Sequence, residues 1–134
     1  MHRLFLDANV LFSAAYKPDA RVLQLWRLKD CTLCTSRYAL EEARANLTDE
    51  AQQQRLTRLA GQLCFFDAGE RRLPPAISLP DKDAPILLAA IEARAHYLLT
   101  GDLRHFSAYF GKKVEGVTII SPTRYFTIKE REQR

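Results

Sequence analysis

Four groups of acidic residues stand where carboxylates could do chemistry. Asp7 closes the apolar run Leu4-Phe5-Leu6, just ahead of the helical run Val10, Leu11, Ala14, Ala15. Glu41 and Glu42 lie in the first two turns of a helical segment that follows the short apolar stretch Cys31 to Thr35. Asp81 and Asp83 open a strongly patterned segment containing Ile86, Leu87, Ala90 and Ile91, and Asp102 follows Tyr97-Leu98-Leu99 across Thr100-Gly101. Carboxylates gathered without compensating cations repel and raise one another's pKa, so a cluster of them is costly unless a divalent cation neutralises it. Hard oxygen ligands select Mg²⁺ or Mn²⁺, and Mg²⁺ takes few protein carboxylates while keeping waters for a phosphate substrate. No His or Cys complement marks a zinc site. Such ions lower the pKa of a bound water, orient it for in-line attack on a phosphodiester and stabilise charge on the phosphate. The competing reading is four independent caps and surface acids, and Asp7 fits it well, because Asp is a favoured N-cap.

The elements that must position these groups can be read in order. Leu4-Phe5-Leu6 is unbroken rather than alternating, which marks a strand buried on both faces of a parallel sheet. Val10 to Tyr16 is a short helix ended by Lys17-Pro18-Asp19, and Ala20 to Lys29 is expected to be a second. Cys31 to Thr35 is the second strand, and Ser36 caps a helix over Arg37 to Leu47. Thr48 caps another helix over Asp49 to Gln62. Leu63 to Phe66 is the third strand, and Asp67 to Pro80 a long loop of the size that borders a site or a partner. Asp83 to Ala95 is helical, with Pro85 tolerated in its first turn. Tyr97 to Thr100 is the fourth strand and Leu103 to Phe110 a short helix. Val117 to Ile120 is the fifth strand, Ser121-Pro122 starts a last helix, and the tail Lys129 to Arg134 is expected to fray.

Five short strands alternating with helices over the whole chain predict one α/β/α domain, residues 1–134, with a mostly parallel sheet. Every acidic group then falls at or near the carboxyl edge of that sheet. If strands one and four are neighbours, at the reversal point of a doubly wound sheet, all four groups converge on one cleft.

The composition is ordinary for a globular chain: 134 residues, 47% apolar and 27% charged. No apolar run approaches 20 residues and no signal-peptide pattern opens the chain, so no membrane span is expected and the protein is placed in the cytoplasm. A net charge of +4 and a pI near 9.1 lean toward a polyanionic partner. Three cysteines, Cys31, Cys34 and Cys64, argue against a disulfide framework and read as small buried hydrophobes.

Leu6-Asp7-Ala8-Asn9-Val10-Leu11, Leu40-Glu41-Glu42 with Leu47, Asp83-Ala84-Pro85-Ile86-Leu87 with Ala90, and Leu99-Thr100-Gly101-Asp102-Leu103 together resemble the PIN-domain nucleases. The match runs in the correct order over nearly the entire chain, to Ile119-Ile120-Ser121-Pro122, and Thr-Gly-Asp after a β run is its most specific piece. The resemblance implies a flavodoxin-like sheet and Mg²⁺- or Mn²⁺-dependent cleavage of single-stranded RNA, often as the toxin of a toxin–antitoxin pair. It assigns the metal-binding acids to Asp7, Glu42, Asp83 and Asp102, with Asp81 a substitute for or supplement to Asp83. Periodicity alone leaves Glu41 against Glu42 open, and family spacing selects Glu42. Asn9 and Thr100 are placed to orient ligands by hydrogen bonding. Arg37, Arg44, Arg104 and His105 are candidates to meet the RNA backbone. An antitoxin partner and a homodimer also follow from the resemblance. The competing functions are a PIN-fold binding module without activity, and a phosphate-accepting receiver or aspartyl-phosphate hydrolase. The last fits less well, since Asn9 stands where the hydrolase motif has its second acid and no lysine follows strand five at the receiver's usual place.

Overall fold

The computed structural model describes residues 1–133. The elements in order are β1 (His2–Leu6), α1 (Ala8–Tyr16), a 3-10 helix (Arg21–Arg27), β2 (Cys31–Thr35), α2 (Arg37–Ala45), α3 (Glu50–Ala60), β3 (Cys64–Phe65), α4 (Ala84–Glu92), β4 (Tyr97–Leu99), α5 (Leu103–Phe106), a 3-10 turn (Ser107–Tyr109), β5 (Lys113–Val114), β6 (Val117–Ile120) and α6 (Pro122–Glu132). One sheet runs in the order β3-β2-β1-β4-β6-β5. All pairings are parallel except the β5–β6 hairpin.

The chain steps outward from β1 through β2 to β3, then crosses to β4 on the other side of β1. That reversal opens a crevice beyond the carboxyl ends of β1 and β4, the position where doubly wound sheets bind ligands. Pairing of the two strands aligns Leu6 with Leu99, and the Asp7 N–H extends it by donating to the Leu99 carbonyl at 3.1 Å. The acids that follow each strand are therefore brought side by side. Leu4, Phe5 and Leu6 are fully buried, as a central parallel strand requires.

Helix α4 is apolar all round, with every residue from Ile86 to Ile91 buried, so its outer side also needs a cover. The long loop supplies it: Leu73, Ile77 and Leu79 pack on the core. The loop is tied down by an Arg71–Glu92 ion pair at 2.7 Å and by Ser78, whose N–H donates to the Tyr109 hydroxyl at 2.8 Å. It is a lid on the core, and none of its residues lines the acidic cleft.

Several expectations are corrected. The sheet has six strands, because Glu115 and Gly116, both at positive φ, make the two-residue turn that folds Lys113–Val114 back on β6. The expected helix over Ala20 to Lys29 is a 3-10 helix; Val22, Leu25 and Leu28 recur every three residues, which suits three residues per turn. The helix after β4 stops at Phe106 and continues only as the 3-10 turn. The tail is helical through Glu132 rather than frayed, because Lys129 is buried and its ammonium bonds the Asp30 carboxylate beside β2; Arg134 lies outside the described residues. Of the cysteines only Cys34 is buried, while Cys31 is half-buried against the Tyr125 hydroxyl at 3.1 Å and Cys64, on the edge strand, is exposed. No helix among the described residues is long and apolar enough to cross a membrane.

Candidate active site

At the end of β1 the backbone turns directly into α1, and the Asp7 side chain caps it: Oδ1 accepts from the Ala8 N–H at 2.6 Å. Capping and a ligand role are thus not alternatives, because the second oxygen is held for other partners. Oδ2 accepts from the Thr100 hydroxyl at 2.7 Å and from the Asn9 amide at 3.2 Å. The Thr100 oxygen in turn accepts from the Asn9 amide at 3.1 Å and from the Asp102 N–H at 3.0 Å, so its donor and both lone pairs are used. The Asn9 carbonyl oxygen accepts from the Gly101 N–H at 2.8 Å. One network therefore clamps the β1–α1 turn to the β4–α5 turn and sets Asp7 beside Asp102.

Asp102 caps α5 by accepting from the His105 N–H at 3.0 Å. One turn on, His105 places Nδ1 2.7 Å from Asp102 Oδ2 and 2.9 Å from Asp83 Oδ2. Neither contact has hydrogen-bond geometry, which leaves Asp83 Oδ2 and His105 Nδ1 buried and unpartnered. Asp83 begins α4 without capping it, so its carboxylate is free to face the others. Helix α2 completes the wall: Glu42 lines the cleft, whereas Glu41 on the next radial position is exposed and does not.

The resulting cleft has a volume of about 380 Å³ and is lined by Asp7, Glu42, Asp83 and Asp102 together with Asn9, Phe12, Asn46 and Lys82. Four acids face one lysine. Asp7 is only 3% exposed, and burial pushes its carboxyl up to about 6, with the charges of Asp83 and Asp102 adding to the rise and the Thr100 and Ala8 hydrogen bonds opposing it. Asp83 is likewise raised by burial, against the pull of His105. The Tyr38 hydroxyl is raised by burial and then by Glu42, its neighbour one turn along α2. An oxygen-rich pocket in which burial holds Asp7 and Asp83 back from ionisation, and in which the buried Asp83 oxygen lacks a partner, has the donor set a divalent cation fits. One ligand atom each from Asp83, Asp102 and His105 lie within 4.8 Å of one another. His105 thus sets a ring nitrogen beside these carboxylates.

A family model described as PIN domain matches residues 3–104, more than half of the chain. The chain belongs to the PIN domain family. All four cleft acids fall in the matched span. Solved structures with the same fold include VapBC2 from Rickettsia felis bound to a DNA fragment from their promoter, with a TM-score of 0.66 and 20% identity over 89% of this chain and 98% of that one. FitAB bound to the IR36 DNA fragment has a TM-score of 0.53 and 21% identity over 89% and 94%. FitAcB from Neisseria gonorrhoeae has 0.52 and 22% over 90% and 98%. No curated protein sequence matches this chain.

Not every residue singled out in the sequence reaches the cleft of this PIN domain. Asp81 is exposed and outside the lining, two residues short of where α4 turns the chain inward. Arg37 and Arg104 are exposed and also outside it. Arg44 turns away to α3, donating to Gln53 at 3.3 Å and Thr57 at 3.4 Å. His105 faces the acids themselves. Conversely, Phe12, Asn46 and Lys82 in the lining were not anticipated, nor was Tyr38 against Glu42. Tyr38 and Asn46 sit four residues to either side of Glu42, a spacing that places them on its helix face and was legible once Glu42 was chosen.

Proposed function

We propose that this PIN domain is a Mg²⁺- or Mn²⁺-dependent endoribonuclease that cuts single-stranded RNA in the cytoplasm, acting through Asp7, Glu42, Asp83 and Asp102. The observation that carries the reading is the meeting of these four acids from β1, α2, α4 and the β4–α5 turn in one cleft with a single lysine. The ions would be held by these carboxylates with His105 adjoining, and when bound they supply an activated water and charge stabilisation at phosphorus. Thr100 and Asn9 hold Asp7 in a single orientation, so that its cleft-facing oxygen is set before any ligand arrives. Lys82 at the rim meets the incoming phosphate chain, and the net charge of +4 favours a polyanion over the whole surface.

The VapBC2 and FitAB relatives are complexes bound to DNA, which supports the further reading that this chain is the toxin of a toxin–antitoxin pair, with a DNA-binding antitoxin as partner and a homodimer as its assembled form. The test is cleavage of a labelled single-stranded RNA by the purified chain. Cleavage is expected with Mn²⁺ or Mg²⁺ and absent in EDTA and in Asp7→Asn. Equal cleavage in EDTA by wild type, but not by Asp7→Asn, would overturn the metal mechanism.

A further inference from the structure

Beside the acidic cleft lies a larger groove of about 700 Å³, bounded by one face of α1, the start of the 3-10 helix and the first two turns of α6. Asn9 and Phe12 line both, so groove and cleft are continuous. Phe12 and Tyr16, one helical turn apart, place their rings 5.3 Å apart and tilted by 30°, and Tyr16 is 54% exposed. A large aromatic left open to solvent has no role in the core; its backbone carbonyl, not its ring, is what Gln52 and Arg55 hold. Lys17 and Arg21 sit on the same groove, exposed and without a carboxylate partner among the described residues, and no acid is among the lining side chains. An aromatic face flanked by free cations is the arrangement that takes bases by stacking and phosphates by charge.

Resting on the nuclease reading above, we propose that this groove is a nucleotide subsite: a base flanking the scissile phosphate stacks on Tyr16, and the adjoining phosphates meet Lys17 and Arg21. Continuity with the cleft through Phe12 sets the order along the strand. The phosphate bridging the groove to the acids is the one cut, and the bases beyond it are held by α1. The apolar side of the groove, with Pro122 and Phe126, carries the edge of the stacked base. Because every base has a π-face, the subsite gives affinity with little sequence preference.

The probe is a fluorescein-labelled single-stranded oligoribonucleotide, titrated with the full chain in EDTA so that binding is read without cleavage. Tyr16→Leu keeps an apolar side chain at an exposed position and removes only the ring; it is expected to weaken binding roughly 5- to 100-fold, the range of one lost base–aromatic stack. Tyr16→Phe is expected to bind within about twofold of wild type. Lys17→Gln with Arg21→Gln should flatten the dependence of log K on log salt by about 1.4, at about 0.7 per contact for a single strand. With Mn²⁺ present the Tyr16→Leu loss should fall on KM rather than kcat. Binding that depends on Tyr16 with no cleavage under any metal would uphold this subsite while the nuclease reading fails. Cleavage with an affinity and KM indifferent to Tyr16→Leu would overturn the subsite while the nuclease reading stands. A groove that instead captures a protein segment gives that second result.

Discussion

Replacing Asp7 by Asn should make the metal-free protein more stable at neutral pH, although it removes a buried side chain's hydrogen bonds. Burial and the neighbouring acids raise Asp7 from 3.8 to about 6. At about 1.4 kcal/mol per unit, ionising it in the folded state above pH 6 costs roughly 3 kcal/mol. A group with a raised folded-state pKa contributes stability that is present below its unfolded value and lost as pH rises through the folded one, so for Asp7 the loss develops between about pH 4 and pH 6. Asn has no such loss. It does, however, turn an NH₂ toward either the Ala8 N–H or the Asn9 amide and Thr100 hydroxyl, which costs on the order of 1–2 kcal/mol. The net expectation in EDTA is a gain of about 1–2 kcal/mol at pH 7.5, which for a domain of this size is several degrees in melting temperature. At pH 4 the wild-type carboxyl is largely neutral in the folded state and only about 0.5 kcal/mol of the loss has developed, so the order should reverse, with the variant less stable by about 0.5–1.5 kcal/mol. Urea unfolding of both proteins at the two pH values measures this, and other titrating groups largely cancel in the difference. A variant less stable by the same amount at both pH values would refute the argument, since it would mean that Asp7 is an ordinary hydrogen-bonded cap carrying no electrostatic strain.

Glu42→Gln should strongly weaken Mn²⁺ binding, followed by calorimetry, and RNA cleavage, while Glu41→Gln stays near wild type, because only Glu42 lines the cleft; the reverse ranking would show that α2 presents its other border. Thr100→Val leaves the buried Asp7 oxygen and the half-buried Asn9 amide and Asp102 N–H each short of a partner, and should lower stability by about 2–4 kcal/mol in chemical denaturation. Thr100→Ser should recover most of it. Thiol titration with a disulfide reagent at pH 8 should label Cys64 rapidly and Cys34 slowly, since Cys34 is buried and its thiol is pushed up to about 11, whereas Cys64 is exposed. Equal rates would mean that the β2–β3 edge opens.

The alternation of strands and helices, the central strand Leu4 to Leu6 and the acids at the strand ends were legible in the linear chain, because burial on two faces and helix initiation leave local signatures. It also carried the capping role of Asp7, Ser36 and Ser121, each bonded to a backbone N–H one to three residues on. What it could not carry was written only in contacts between distant segments. The choice of Glu42 over Glu41 depends on how α2 is rotated against α1, since two adjacent glutamates are chemically identical and differ by about 100° on the helix. Lys129 read as a charge in a loose tail because its partner Asp30 is 99 residues away. The long loop read as the border of a site, yet α4 needed a cover for its outward apolar side, and that demand exists only once the helix is packed on the sheet. His105 looked like a surface cation until the β4–α5 turn swung it between Asp83 and Asp102. The groove of Phe12, Tyr16, Lys17 and Arg21 has no motif at all, because its walls come from opposite ends of the chain and meet only when α6 returns beside α1.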